Sequence, residues 1–164
     1  MEAVLLDTTL HIRDHFECEQ PSLTAYLKTQ ASQDVKKRLA ACFVIVNDTN
    51  HIIGYYTLAN HSLDRALVPD KYQKRIPPSY HVPVTLLGRL ARDYSAKKTG
   101  LGEMLLMDAL HRAYQISKNS IGSMAVVVDP IDEKAVLFYD KYGFITLPDS
   151  GKMFLPLQTI ASLF

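Results

Sequence analysis

Apolar positions along the chain follow two different periods, and the points where one replaces the other mark the elements. Ala3–Val4–Leu5–Leu6 opens the chain as a short apolar run, read as a strand. Over QPSLTAYLKTQASQDVKKRLAA, the residues Leu23, Tyr26, Leu27, Ala31, Val35 and Leu39 recur at helical intervals behind Pro21, which predicts a helix or two short helices. CFVIV and HIIGYYTLA are instead continuous, β-branched or aromatic, and separated by the turn-forming NDTN; they predict a hairpin. Four prolines across HSLDRALVPDKYQKRIPPSYHVP interrupt any period and predict a long loop with at most a helical turn near 63–67.

VTLLGRLARD then reads as a strand, followed by a helix over about 100–117 with Leu101, Leu105, Ala109, Ala113 and Ile116 along one face. SMAVVVD is an unbroken apolar run of the kind buried on both faces of a sheet. After Pro130, IDEKAVLFYDKYGF begins with acids suited to a helix N-terminus and ends at Gly143, a natural C′ position. The tail, FITLPDSGKMFLPL, predicts two strands about a PDSG turn. This order predicts an α/β fold: a mixed central sheet whose parallel strands flank the crossover helix.

Length and composition narrow the domain count: 164 residues at 48% hydrophobic content suffice for one core, and no repeat or linker divides them, so a single domain over 1–164 is expected. A formal net charge of +1 marks no general polyanion binder, but residues 65–98 carry Arg65, Lys71, Lys74, Arg75, Arg89, Arg92, Lys97 and Lys98 against only Asp70 and Asp93. That local excess is either a solvated surface or a basic face toward a polyanion. Cys18 and Cys42 have no motif spacing, and the six histidines have no partner at ligand spacing, so neither a disulfide framework nor a metal site is expected. With no signal-peptide pattern at the start and no apolar run near the roughly 18 residues of a membrane helix, a cytoplasmic protein without a membrane partner is expected.

The candidate chemistry lies at DYSAKKTGLGEMLLMDAL, residues 93–110. A helix N-terminus presents backbone N–H groups without helical partners, and close glycines let an anion approach them. Neither the G-x-x-x-x-G-K-[ST] pattern nor a complete G-x-G-x-x-G is present, Leu105 standing at the third glycine. What remains is cation-x-x-Gly-x-Gly, from Lys97 to Gly102, between a strand and a helix; alone it serves equally as a structural turn.

Placed in that setting, the pattern resembles the GNAT acetyltransferases, whose acyl-CoA loop runs Q/R-x-x-G-x-G/A between a strand and a helix; here Lys97 takes the first position. YYTLA, VPVTLLGRLARD, GLGEMLLMDAL, VVVDP and FYDKYGF extend the resemblance over most of the chain, toward the acetyltransferase toxins of bacterial toxin–antitoxin pairs. Arg92 stands where that group commonly has valine, and Cys18–Glu19 where it commonly has Cys-Gly. The resemblance implies the GNAT acyl-CoA N-acyltransferase fold, with helices on both faces of the sheet. It implies acetyl-CoA as co-substrate, with the backbone of Leu90, Ala91 and Arg92 along the pantetheine arm and Lys97, Lys98, Thr99, Gly100, Leu101 and Gly102 around the pyrophosphate. Tyr139 of FYDKYGF is implied as the general acid for the departing CoA thiolate, although by pattern alone it is a core aromatic on an amphipathic helix. Tyr142, one helical turn on, is a second-choice acid or a CoA-wall residue.

The toxins of this resemblance acetylate the α-amine of the amino acid on charged tRNA and thereby block translation. With a reference pKa near 7.7–8.0, such an amine is partly neutral at pH 7, and no carboxylate in the sequence stands out as a base for a less acidic amine. Lys71, Lys74, Arg75 and Arg89 become candidate contacts to tRNA phosphates. A ribbon-helix-helix antitoxin and a homodimer are implied by the resemblance alone. Two other readings remain at this point: a housekeeping acetyltransferase for a small amine or a protein N-terminus, and a non-catalytic CoA-binding interaction module.

Overall fold

The computed structural model describes residues 2–164. Its strands are β1 (Val4–Leu5), β2 (Ala41–Val46), β3 (Ile52–Asp64), β4 (His81–Arg92), β5 (Ala125–Val128), β6 (Ile145–Thr146) and β7 (Met153–Pro156). They form one seven-stranded sheet in the order β1-β2-β3-β4-β5-β7-β6. β4 and β5 run parallel, whereas β1–β2, β2–β3, β5–β7 and β6–β7 are antiparallel. The helices are α1 (Pro21–Ala25), α2 (Ala31–Lys36), α3 (Asp70–Gln73), α4 (Leu101–Asn119), α5 (Glu133–Lys141) and α6 (Leu157–Ala161). The parallel β4–β5 pair flanks α4, as the strand–helix–strand order predicts.

Two compact units divide these elements. The first comprises the chain through Ala59 together with Gly88–Ala109. Its core gathers Phe16, Tyr26, Leu27, Cys42, Val44, Tyr55 and Ala91. The Tyr55 hydroxyl donates to Leu23 O at 2.7 Å, which gives a phenol buried among apolar groups the partner it needs. Helical spacing over 21–36 is realised as α1, a π-helical turn at Tyr26–Gln30, and α2. The predicted apolar position Leu39 is instead 63% exposed: α2 ends at Lys36, and Arg38 at φ 61° turns the chain before that face can continue. Gly54 allows the start of α4 to approach β3 closely, since a Cβ there would come within 2.9 Å of Leu105 Cδ1. The Tyr56 hydroxyl donates to the Asp108 carboxylate and ties the same two elements together.

The second unit comprises Asn60–Leu87 and Leu110–Phe164, around Leu63, Val82, Val84, Ala125, Val127, Leu147 and Phe154. Here the predicted long loop is shorter than its prolines suggest. β3 stays extended through Asp64, a 3₁₀ turn covers Arg65–Leu67, α3 follows, and β4 already begins at His81. Sheet pairing overrides the poor strand propensity of Asn60–Ser62. The Arg65 guanidinium closes the remaining segment by donating to Ile76 O at 2.7 Å and Gln73 O at 2.8 Å. α6, which buries Leu157 and Ile160, is too short to leave a readable period. Both cysteines are free and buried. Among the described residues no helix is long and apolar enough to cross a membrane, and no group of three His, Cys, Asp or Glu could hold a metal ion.

Candidate active site

In the first unit, β4 leads through Leu90, Ala91 and Arg92 into the segment before α4. Asp93 organises this segment. Its N–H donates to Ile53 O at 2.8 Å, and its carboxylate accepts from Glu17 N at 2.7 Å and from Ser95 N at 2.9 Å. Tyr94 N in turn donates to Glu17 O at 2.9 Å. Burial alone would raise the Asp93 carboxyl, but the hydrogen bonds from Ser95 and from the Glu17 N–H outweigh it and hold the group below the usual carboxylate range. A 3₁₀ turn at Tyr94–Ala96 then delivers the exposed residues Lys97, Lys98, Thr99 and Gly100 to the helix start.

The conformation there requires glycine at one position: Gly100 has φ +81°, and Lys98 also lies in the left-handed region at φ 64°. The first i→i−4 bond of α4 runs from Met104 N to Gly100 O at 3.1 Å, so the N–H groups of Leu101 and Gly102 precede the helical ladder. A Cβ built on Gly100 or on Gly102 would meet nothing within 4 Å, so both glycines border open space. Thr99 is oriented otherwise. Its N–H donates to Ala96 O at 3.3 Å and its hydroxyl to the same oxygen, which turns both groups inward.

Lys97 and Arg92 meet a residue that motif reading did not single out as part of the site. One carboxylate oxygen of Glu19, Oε1, lies 3.2 Å from Arg92 Nη2 and 3.8 Å from Lys97 Nζ. The contact joins positions 73 residues apart in the case of Arg92, and no local pattern could have revealed it. Also in this unit, the Arg89 guanidinium sits 3.7 Å from the Tyr26 ring centroid, a cation–π contact, while the Tyr26 hydroxyl donates to Asp34 Oδ2 at 2.7 Å. Burial pushes the Cys42 thiol up to about 12, which makes it an unreactive core group.

In the second unit, the Asp132 carboxylate caps α5 by accepting from Ala135 N at 2.8 Å. The helix closes at Gly143 with φ +91°, its N–H donating to Asp140 O and that of Phe144 to Tyr139 O. This turn folds Phe144 back onto Tyr139, with ring centroids 5.2 Å apart at 62°, while Phe138 packs edge-on to Tyr139 at 5.2 Å and to Tyr142 at 5.3 Å. Tyr139 is 8% exposed, and this burial raises its pKa well above the ordinary tyrosine value of 10.0. A phenol in that environment is neutral, so it can give a proton but not take one. Phe138 is half-buried, so it shares this aromatic cluster with Tyr139 while lying less deep.

The predicted basic contacts divide by what they touch. In the second unit Lys74 is exposed, Lys71 Nζ lies 5.6 Å from the Tyr72 ring centroid, and Arg75 Nη1 donates to Gln158 Oε1 at 2.9 Å on the surface. Arg89 belongs to the first unit. Arg65 is tied to backbone carbonyls and stabilises the segment.

Residues 8–144 match the Acetyltransferase (GNAT) family. A tRNA-acetylating toxin of Mycobacterium tuberculosis is 35% identical over 133 residues, covering 81% of this chain and 78% of that protein. A probable toxin TacT of Sinorhizobium fredii is 30% identical over 167 residues, covering 96% and 92%. Among solved structures, AtaT complexed with acetyl-methionyl-tRNAfMet superposes with a TM-score of 0.90 at 28% identity, covering 99% of this chain and 98% of that one. AtaTR bound with acetyl-CoA gives 0.83 at 25% identity, covering 99% and 96%. The AtaT–AtaR complex bound to DNA gives 0.81 at 25%, covering 100% and 99%.

Proposed function

Because the chain belongs to the acetyltransferase (GNAT) family, we propose that it is a toxin that transfers acetyl from acetyl-CoA to the α-amine of aminoacyl-tRNA and so blocks translation. That it is an acetyl-CoA-dependent N-acetyltransferase with the family's mixed sheet follows from membership; the acceptor is the step beyond. The observation that carries it is the likeness, over 99% of the chain, to AtaT complexed with acetyl-methionyl-tRNA. The tRNA-acetylating relative at 35% identity supports the same acceptor.

In this reading one domain spans 1–164, and the acyl-CoA diphosphate lies at Lys97–Gly102. The N–H groups of Leu101 and Gly102 receive it, Lys97 and Lys98 supply positive charge, and the backbone of Leu90, Ala91 and Arg92 accompanies the pantetheine arm. Thr99, whose amide and hydroxyl face Ala96 O, shapes the loop. The free α-amine attacks the thioester carbonyl: a C–N bond forms, the C–S bond breaks, the amine loses a proton to water, Tyr139 gives its phenolic proton to the CoA thiolate, and the proton released to water returns to the phenolate. A neutral, buried phenol suits that donor role. Tyr142, edge-on to Phe138, serves as wall to the CoA. Lys71, Lys74, Arg75 and Arg89 contact tRNA phosphates, Arg89 in the posture that Tyr26 imposes. A ribbon-helix-helix antitoxin, a homodimer and a cytoplasmic location complete the reading; the AtaT–AtaR complex supports a protein partner of this kind without bearing on its fold.

Cell-free translation tests it. Protein plus acetyl-CoA is expected to stop synthesis, and freshly charged tRNA added with excess free CoA to restore it. Synthesis that continues undiminished while acetyl-CoA is consumed on a small amine would favour the housekeeping alternative.

A further inference from the structure

Glu19 brings a negative charge to a loop that otherwise gathers cations and helix N–H groups. Its Oε1 is at hydrogen-bonding distance, 3.2 Å, from Arg92 Nη2, and the same oxygen is 3.8 Å from Lys97 Nζ. The first contact is a hydrogen-bonded ion pair; the second is an ion pair without a hydrogen bond. Exposure separates the two cations further, since the Arg92 side chain is 24% accessible and that of Lys97 is 50% accessible. Arg92 therefore fixes the carboxylate, and Lys97 is the partner able to turn elsewhere.

The loop does not depend on this carboxylate for its shape. Asp93 N to Ile53 O, Glu17 N to Asp93 Oδ1, Ser95 N to Asp93 Oδ2 and Tyr94 N to Glu17 O already hold it through backbone groups and the Asp93 carboxylate. What Glu19 alters is charge: Arg92 and Lys97 together carry two positive charges, and the triad carries one.

We infer that Glu19 is a built-in competitor for Lys97. Its carboxylate holds the ammonium when no ligand is bound, the acyl-CoA diphosphate takes that ammonium over, and Glu19 thereby sets how tightly acyl-CoA is held. The inference rests on the reading that the diphosphate lies at Lys97–Gly102. Because all three side chains are partly solvated, the expected effect is several-fold, not hundreds-fold.

The test is calorimetric titration of the full-length protein with CoA, in wild type, Glu19→Gln, Lys97→Gln and the double variant. Gln keeps the size of Glu and a hydrogen-bonding oxygen for Arg92, and Glu19→Ala serves as a second variant read in the same direction. Glu19→Gln is expected to lower the Kd about 3- to 10-fold, with a gap that narrows as salt rises. Lys97→Gln is expected to raise the Kd, and in that background the gain from Glu19→Gln shrinks. A Glu19→Gln protein that binds CoA no more tightly, while Lys97→Gln weakens binding, overturns the competitor role and leaves the loop reading standing. An equal gain in both backgrounds also overturns it, because the carboxylate would then act on the ligand without Lys97. If none of the variants changes the Kd, the competitor role is overturned, and the loop reading is judged separately by CoA binding to Gly102→Ala.

Discussion

At the start of α4 the groups proposed to meet acyl-CoA are backbone N–H groups and solvated cations; at the end of α5 the proposed group is one phenol enclosed by rings. The loop is held by hydrogen bonds that the Asp93 carboxylate accepts from Glu17 N and Ser95 N, and Lys97, Lys98 and Thr99 stay exposed. Tyr139 is held by Phe138 and Phe144, and its burial raises its pKa further above the ordinary tyrosine value. Backbone recognition tolerates side-chain replacement, so a lysine can occupy the first position of the loop pattern. Proton donation depends on one atom and tolerates none. Variants should therefore separate cleanly: loop changes act on acyl-CoA affinity, and the α5 change acts on turnover.

The largest effect is expected from Tyr139→Phe, which removes the hydroxyl and keeps the ring. Steady-state kinetics should show kcat lower by about 10²- to 10⁴-fold, with CoA affinity within about twofold of wild type. A variant that retains full kcat would break the distinction between the two regions. The pH profile sharpens it. A raised phenol pKa means the donor form persists as pH rises, so Tyr139 should produce no alkaline fall in rate up to about pH 10.

Gly100→Ala comes next, because φ +81° costs an L-residue about 1–2 kcal/mol. The expected result is a KM for acetyl-CoA about tenfold higher, with kcat much less changed. Gly102→Ala makes a finer comparison, since its Cβ meets no protein atom within 4 Å. Thermal melting should show equal or slightly greater stability, by up to about 1 kcal/mol, while calorimetry shows weaker CoA binding. If binding is unaffected, the open space beside Gly102 is not where the anion lies.

The smallest effect concerns Asp93. Asp93→Ala should cost about 1 kcal/mol, the value of a charged hydrogen-bond acceptor discounted for its partial solvation. Its carboxyl is held below the usual carboxylate range, so its stabilisation is present above that range and is lost as pH falls through the lower folded value. Acid titration should therefore show wild type losing its advantage over Asp93→Ala below about pH 4.

These two regions also differ in how much a linear reading reveals. The anion loop is local: a strand, two glycines and a helix start lie within thirteen residues of one another, and Gly100 adopts the positive φ that such a turn demands. α5 is bracketed by Asp132 and Gly143, which cap it as their chemistry predicts. The Glu19 contact was not legible, because it depends on chain segments that meet only after folding. The same holds for Arg65, whose guanidinium closes a proline-rich segment that composition alone would leave open. The apolar period carried past Lys36 to Leu39 because periodicity contains no stop signal where the backbone turns at Arg38. Tyr139 lies between these extremes. Its helix is legible, but its role came from a family likeness, and an aromatic on an amphipathic face carries no mark of its own.

The central claim is the identity of the acceptor. A pool of charged tRNA is incubated with the protein and acetyl-CoA, and the amino acids are then released and identified by mass spectrometry. N-acetylated amino acid is expected with wild type and almost none with Tyr139→Phe. Unmodified amino acids from every charged tRNA, with a protein that demonstrably binds CoA, would contradict it.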